Sequence, residues 1–193
     1  MRHILCYGDS NTWGYTPGTG ERHAPDVRWT GVLRRLLGEG WEVLEEGMNG
    51  RTTVFDNPMS QGRNGSAYLL TCLETHKPLD LVILMLGTND LLQSRSPEQA
   101  AERLEQFLSG ISLDRSKILV IAPPPVKWGA WVPSQQLIDD SRTFARLCQT
   151  LTEQLGIRFA DAGKWDIPLA YDGVHFTEQG HRAFAAGLLE ELK

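Results

Sequence analysis

A serine near the start of the chain and an acid–histidine pair near its end could together carry out nucleophilic catalysis. Ser10 lies in the segment Gly8-Asp9-Ser10-Asn11, directly after a short apolar run, and Asp172 and His175 precede the last helical pattern. A serine hydroxyl needs an adjacent base to act as a nucleophile, and histidine serves as one near neutral pH. An aspartate can hold the imidazole in the required tautomer. We therefore predict Ser10 as the nucleophile, His175 as the base and Asp172 as its orienting acid.

Each of these residues also has a plain structural interpretation. A serine in a strand-to-helix loop could serve as a helix N-cap, and Asp172-Gly173 could form an ordinary surface turn. A metal site is a competing interpretation of Asp172 and His175, with Asp161 as a third ligand. Such a site needs four converging ligands, and the sequence has no dense His, Asp or Glu cluster. We expect no metal and no cofactor, with Asp161 supporting a loop instead.

Acyl transfer also requires hydrogen-bond donors aimed at the developing oxyanion. The backbone N–H of Ser10 is one candidate. Asn89 follows the predicted third strand and could supply a side-chain amide, and Gly50 follows the second strand and could offer a further N–H. A glycine there would let the backbone approach a substrate closely. The alternative for Asn89 is a turn or cap residue, and the alternative for Gly50 is a plain turn.

The elements that must position these residues follow from hydrophobic periodicity. Strands are predicted over residues 4–7, 42–45, 81–86, 118–122 and 157–160. Helices are predicted over residues 29–37, 67–75, 97–108, 137–155 and 178–192, with Ser96 and Thr177 as N-caps. The first, third and fourth strands are nearly continuous apolar runs, which indicates a parallel sheet covered on both faces.

This alternation predicts a three-layer α/β/α sandwich with a five-stranded parallel sheet in the flavodoxin-like order 2-1-3-4-5. Ligands in such sheets bind beyond the carboxyl ends of the strands, at the switch point between strands one and three. That topology brings the loop of Ser10 next to the loop of Asn89.

Size and composition restrict the classes of protein to consider. A chain of 193 residues suits one domain over residues 1–193. A formal net charge of −5 without a basic run argues against nucleic-acid binding. The three scattered cysteines, Cys6, Cys72 and Cys148, are expected to be buried thiols. The longest aliphatic run, residues 81–86, is too short to cross a membrane, and we expect a cytoplasmic protein.

Tryptophans accompany the predicted site. Trp13, Trp128 and Trp131 could line an apolar mouth that accepts aryl or short acyl groups, although ordinary packing would explain each of them. Trp128 and Trp131 lie in the proline-rich segment 123–133. That position favours a lid or a subunit contact over a core helix.

Taken together, four segments resemble the SGNH hydrolases, also called the GDSL esterase/lipase family. The matching residues are Ser10 in Gly-Asp-Ser, Gly50, Asn89 in Gly-Thr-Asn-Asp, and His175 in Asp-x-x-His, in the family's order. The resemblance implies a triad of Ser10, His175 and Asp172. It also implies an oxyanion hole formed by Ser10, Gly50 and Asn89.

Further segments are similar to the bacterial arylesterase/acyltransferase branch of that family. They are residues 4–10, 24–33, 51–53 and 84–90. The similarity implies hydrolysis of short acyl or aryl esters through an acyl-enzyme, acyl transfer to alcohols or peroxide, and assembly into a homo-oligomer. The chain departs from the family motif at one position, because Asn11 stands where leucine is usual.

Two other functions remain open from the sequence. The same triad could serve a carbohydrate acetyl esterase or a thioesterase. A non-catalytic, flavodoxin-like domain could instead bind phosphate on the loop of residues 8–11. The distant acid–base pair, and the lack of a glycine-rich phosphate loop with its lysine, disfavour that binding domain.

Overall fold

A five-stranded parallel sheet with the strand order β2-β1-β3-β4-β5 forms the centre of the computed structural model, which describes residues 1–56 and 60–193. The strands are β1 (Arg2–Gly8), β2 (Trp41–Gly47), β3 (Leu81–Met85), β4 (Ile118–Ala122) and β5 (Arg158–Asp161). The predicted sheet and strand order are confirmed. β1 and β2 extend beyond the predicted apolar runs, so that Gly8 pairs with Gly47 at the carboxyl ends.

Both faces of the sheet are covered, as the continuous apolar runs predicted. Successive residues of one strand point to opposite faces, so Leu5 and Tyr7 join one core cluster while Ile4 and Cys6 join the other. Cys6, Cys72 and Cys148 are buried free thiols, as expected.

Helices form the two outer layers. They are α1 (Ser10–Trp13), α2 (Trp29–Leu37), α3 (Gly65–Thr75), α4 (Thr88–Ser94), α5 (Pro97–Ser109), α6 (Gln135–Leu155) and α7 (Glu178–Glu191). Residues of α3, α5 and α6 belong to the first core cluster, and residues of α2 and α7 to the second. The layers therefore match the predicted sandwich.

Polar caps set several helix boundaries. The side chains of Ser96 and Thr177 accept hydrogen bonds from backbone N–H groups of α5 and α7, as predicted. Asn64 and Ser134 cap α3 and α6 in the same way, and these two helices begin two residues before the predicted boundaries. No helix is predicted over the segment containing Asn89, whereas it forms the short helix α4 behind Gly87.

Two glycines let α1 lie directly on the sheet edge. A Cβ atom at Gly8 would lie 2.1 Å from Thr12 Oγ1, and one at Gly47 would lie 2.2 Å from the Trp13 backbone nitrogen. Only hydrogen fits at such distances. The carboxyl ends of β1 and β2 thus carry α1, and with it Ser10, in one fixed position.

Candidate active site

The structure brings Ser10, His175 and Asp172 into one hydrogen-bonded series. His175 Nε2 lies 2.9 Å from Ser10 Oγ, and His175 Nδ1 lies 2.6 Å from Asp172 Oδ2. Ser10 is 8% exposed, His175 2% and Asp172 0%, so little water competes for these bonds. With the Nδ1 proton donated to Asp172, Nε2 can accept the proton of the Ser10 hydroxyl.

Asp172 is held as a carboxylate. Burial raises the pKa of Asp172. Hydrogen bonds from the His175 ring and from the backbone N–H groups of His175 and Val174 lower that pKa by a larger amount. The net pKa lies below the ordinary value. The two backbone bonds end on Oδ1, at 2.9 Å from Val174 and 3.0 Å from His175, leaving Oδ2 to the imidazole. The Asp172 carboxylate therefore holds both the backbone of residues 174–175 and the His175 imidazole in place.

A second buried carboxylate stands beside the serine. Asp9 is the N-cap of α1, and its Oδ1 accepts a hydrogen bond of 3.0 Å from the Asn11 backbone N–H. Burial raises the pKa of Asp9 to about 6, against the opposing effects of this bond and of the charges on His175 and Arg51. Ser10 is not the capping residue, so its hydroxyl remains available to His175.

The loops after β2 and β3 are tied together where the oxyanion donors were predicted. Asn89 Nδ2 donates a hydrogen bond of 3.0 Å to the backbone carbonyl of Arg51, the residue that follows Gly50. An amide nitrogen carries two hydrogens, so one more can point elsewhere. Gly50 has φ +72°, a left-handed conformation that favours glycine. The structure thus places the predicted donors Gly50 and Asn89 on two loops joined by a direct bond.

Asp90 and Thr53 join the same two loops a second time. The Asp90 carboxylate, which is fully buried, accepts a bond of 2.5 Å from the Thr53 hydroxyl and one of 3.1 Å from its backbone N–H. Burial raises the pKa of Asp90 more than these bonds lower it. Sequence reasoning did not identify this pair.

Arg51 connects the second loop to the end of β1. Its Nη1 donates a hydrogen bond of 2.8 Å to the carbonyl of Gly8 and a second hydrogen bond to the carbonyl of Glu46. Its guanidinium carbon lies 4.0 Å from the centre of the Tyr7 ring. The side chain is 2% exposed, and burial lowers its pKa. This buried cation fixes the Gly50 loop against the strand that leads to Ser10.

The proline-rich segment after β4 supports the acid–histidine turn. The backbone N–H of Trp131 donates a hydrogen bond of 3.0 Å to the carbonyl of Asp172. The backbone N–H of Lys127 donates one of 2.9 Å to the carbonyl of Gly173. Gly173 has φ +81°, and a Cβ atom there would lie 2.0 Å from the Lys127 carbonyl oxygen. Because the two backbones are in such close contact, the proline-rich segment packs directly against the Asp172 turn and forms one wall of the site.

Aromatic rings enclose His175. Its ring centre lies 4.6 Å from that of Tyr15 and 5.0 Å from that of Trp131. Of the three predicted pocket tryptophans, Trp131 thus contacts the site. Trp13 stacks against the Arg22 guanidinium, whose Cζ lies 5.3 Å from its ring centre.

Trp128 lies apart from these rings. It is 62% exposed and lines a cavity of about 480 Å³ together with Lys127, Asp166 and others, and neither Ser10 nor His175 belongs to that lining.

Some residues that shape the site were not identified from the sequence. Tyr15 lies in no motif, Asp90 and Thr53 lie in family-like segments without having been assigned a role, and Asn11 gave only the signal of departing from the family's usual residue. Asp161 supports a loop as expected, since its Oδ1 accepts 2.9 Å from Gly163 N–H.

Residues 1–56 and 60–193 contain no group of three or more His, Cys, Asp or Glu side chains that could hold a metal ion. Within those same ranges, no helix has the length and apolar character needed to cross a bilayer.

Comparisons with known proteins agree with this geometry. The sequence model of the GDSL-like lipase/acylhydrolase family matches residues 6–183. Among solved structures, an aryl esterase of M. smegmatis is 38% identical, with a TM-score of 0.88 and coverage of 100% of this chain and 98% of that chain. No curated protein matches the chain at a significant level.

Two structures from Sinorhizobium meliloti are also similar. Est24, a carbohydrate acetylesterase, is 30% identical with a TM-score of 0.89, and the match covers 100% of this chain and 98% of that chain. A carbohydrate acetylesterase family member is 34% identical with a TM-score of 0.88, with coverage of 100% and 97%. The similarity therefore extends over the entire chain and not only over the motifs.

Proposed function

The chain belongs to the GDSL-like lipase/acylhydrolase family, and from that premise we propose that it is a serine esterase that hydrolyses short acyl or aryl carboxylic esters. The observation that carries the proposal is the series Asp172–His175–Ser10, with separations of 2.6 and 2.9 Å. The M. smegmatis relative is described as an aryl esterase, which supports the choice of substrate. A small-molecule ester is the partner that such a site requires.

In the first step, Ser10 Oγ attacks the ester carbonyl carbon while His175 Nε2 takes the hydroxyl proton. The imidazolium that forms is stabilised by Asp172, whose pKa lies below its ordinary value, so it remains a carboxylate at neutral pH. The carbonyl oxygen becomes an oxyanion in the tetrahedral intermediate. Because the hydroxyl and the imidazole are already within hydrogen-bond distance, the proton transfer needs no rearrangement.

The oxyanion is stabilised by the N–H groups of Ser10 and Gly50 and by the second Nδ2 hydrogen of Asn89. Donors fixed in advance act strongly because they need not reorganise as the charge develops. The bond from Asn89 to the Arg51 carbonyl and the contacts of Asp90 with Thr53 supply that fixation.

In the second step, the bond between the carbonyl carbon and the alcohol oxygen breaks, and His175 returns the proton to the leaving alcohol. Water then attacks the acyl-enzyme on Ser10, again with His175 as the base, and releases the carboxylic acid. An alcohol or hydrogen peroxide in place of water would give acyl transfer by the same route.

A second candidate is a carbohydrate acetyl esterase using the same residues. The similarity to Est24 and to the second S. meliloti structure favours it. Trp131, next to His175 and 49% exposed, offers a ring on which either an aryl group or a sugar could stack. The two candidates share one mechanism and differ only in the alcohol that leaves.

A comparison of Ser10→Ala with the wild-type chain tests the proposal. The wild-type protein should hydrolyse p-nitrophenyl acetate, and a fluorescent organophosphonate should label it at Ser10. The variant should lose labelling and at least about 10³-fold in kcat, because it lacks the nucleophile. Retained labelling or turnover in the variant would point to another nucleophile and end the proposal.

A panel of aryl acetates, acetylated sugars and acyl-thioesters then separates the substrate classes. We expect the highest kcat/KM for aryl acetates. A higher value for acetylated sugars would favour the second candidate. Ser94→Ala, at the last residue of α4 and outside the series Asp172–His175–Ser10, serves as a matched serine control and should retain activity.

We also propose that copies of the chain assemble through an exposed aromatic surface at the site entrance. The surface comprises Trp128, Trp131 and Tyr171, which are 62%, 49% and 66% exposed. The segments that carry them are joined by the bond from the Ala130 N–H to the Tyr171 carbonyl. Large apolar rings presented together to solvent are typical of contact surfaces.

A further inference from the structure

Asn11, the residue that departs from the family motif, contacts both sides of the catalytic histidine. Its Nδ2 donates a hydrogen bond of 3.2 Å to the carbonyl of Val174, and its Oδ1 accepts one of 2.9 Å from the backbone N–H of Phe176. Both bonds are buried, and they join residues more than 160 positions apart in the chain. The amide thus bridges the backbone immediately before and after His175.

The two bonds restrain the segment from the side of α1. Asp172 holds the segment from the side of the Nδ1 atom, through the Val174 and His175 N–H groups. Asn11 holds it from the side of Ser10, since Asn11 is the next residue in α1. The distance from Ser10 Oγ to His175 Nε2 is therefore fixed by a direct link between the elements that carry the two groups.

We propose that Asn11 is a positioning residue that sets the alignment of His175 with Ser10. The proposal rests on the serine esterase function proposed above. A leucine at position 11 has the same branching and the same number of side-chain heavy atoms, but neither a donor nor an acceptor. It would leave the Val174 carbonyl and the Phe176 N–H without this partner, in a place that water does not reach. The segment around His175 would then shift to recover hydrogen bonds.

Asn11→Leu tests the proposal by separating alignment from binding. Substrate contacts stay in place while the proton transfer is misaligned, so kcat for p-nitrophenyl acetate should fall by about 10- to 100-fold, with KM changed by less than about threefold. Organophosphonate titration counts the competent sites and separates a slower enzyme from a smaller folded fraction.

A proton NMR measurement gives a readout that does not depend on turnover. The His175 Nδ1 proton lies in a short bond to Asp172, at 2.6 Å between heavy atoms, and should give a resolved downfield resonance. In Asn11→Leu this resonance should move upfield or broaden. A fall in kcat with an unchanged resonance would overturn the proposal, as would an unchanged kcat.

Two further variants keep the test decisive. Ser96→Ala removes the α5 cap far from the site, so it should lower the melting temperature by about 2–4 °C and leave kcat and the resonance as in the wild type. Asn11→Asp, nearly isosteric, keeps the acceptor for Phe176 and loses the donor to Val174. It should lose less kcat than the leucine variant, and it decides the question if that variant does not fold.

The two proposals fail in different ways. If Ser10→Ala retained esterase turnover, the proposed function would fail, whereas the NMR readout for Asn11 would stand. If Ser10→Ala were inactive while both Asn11 variants matched the wild type in kcat and resonance, only the role of Asn11 would fail.

Discussion

At the scale of single residues, the carboxylates of Asp172 and Asp9, next to the histidine and the serine, have pKa values shifted in opposite directions. Asp172 accepts three hydrogen bonds, which together lower its pKa despite burial. Asp9 accepts fewer, and burial raises its pKa to about 6. The first carboxylate therefore stabilises the folded state when ionised, and the second destabilises it. The charge of His175 lowers the pKa of both carboxylates.

Asp9 should make stability depend on pH in a predictable direction. Its pKa rises from an ordinary 3.8 to about 6 on folding, so the folded state binds more protons between these values and stability falls as pH rises through them. Asp9→Asn removes this effect. Relative to the wild type, the variant should gain on the order of 2–3 kcal/mol in unfolding free energy between pH 4 and pH 7.

Urea unfolding of both proteins at several pH values measures this difference. Asp9→Glu keeps the charge and should follow the pH dependence of the wild type. Parallel stability curves for the wild type and Asp9→Asn across pH 4–7 would show that Asp9 does not titrate in this range.

At the scale of elements, the site depends on the contact between α1 and the sheet edge. β1 and β2 end in paired glycines, and α1 crosses directly above them. The loops after β2 and β3 are fixed to each other by Asn89 and Asp90, and Arg51 fixes them to β1. Ser10 and the predicted oxyanion donors are therefore held by backbone contacts and buried polar bonds rather than by side-chain packing alone.

Gly47→Ala should disturb α1 without touching the reacting groups. The added methyl would lie 2.2 Å from the Trp13 backbone nitrogen, so α1 must move. We expect a loss of about 1–3 kcal/mol in unfolding free energy from overpacking and a fall in kcat of about 100-fold from the displaced serine. Chemical denaturation and steady-state kinetics measure the two effects.

Gly110→Ala is the matched control for this variant. A Cβ atom there would lie 3.5 Å from the Phe107 carbonyl oxygen, an ordinary contact, and φ is −78°. It should keep the activity of the wild type. Equal kcat values for Gly47→Ala and Gly110→Ala would contradict the close contact at α1.

At the scale of the whole molecule, three exposed aromatic residues, Trp128, Trp131 and Tyr171, lie on segments that adjoin the Asp172–His175 turn. The segment bearing the two tryptophans is hydrogen-bonded to the turn that holds Asp172. Any contact made by this surface therefore acts on a wall of the site. Assembly and substrate preference are expected to be linked for that reason.

Trp128→Ser combined with Tyr171→Ser should dissociate the assembly. We expect the wild type to sediment at a multiple of the 21.6 kDa chain mass, and the double variant at the chain mass itself. Leu70→Ser, which alters a residue of α3 that is 53% exposed, should sediment like the wild type. Monomeric wild-type protein, or an unchanged double variant, would exclude this surface as a subunit contact.

Local patterns were enough to predict most of the architecture. Apolar runs are recognisable because a strand buried on both faces excludes polar side chains, and caps such as Ser96 and Thr177 mark helix starts chemically. Helix α4 was missed because Gly-Thr-Asn-Asp has the composition of a turn. Its seven residues are too few to show a helical period.

By itself, the sequence determined the types and order of the chemical groups, the layered sheet and its strand order, since each of these follows from local periodicity and topology. Only the tertiary structure decided that Ser10 and His175, 165 positions apart, lie 2.9 Å from each other, that Asn11 bonds to the backbone beside His175, and that Thr53 bonds to Asp90. The physical reason is that burial periodicity encodes which side of an element faces inward. The meeting of distant segments depends instead on directional hydrogen bonds made by individual side chains, which no local pattern specifies.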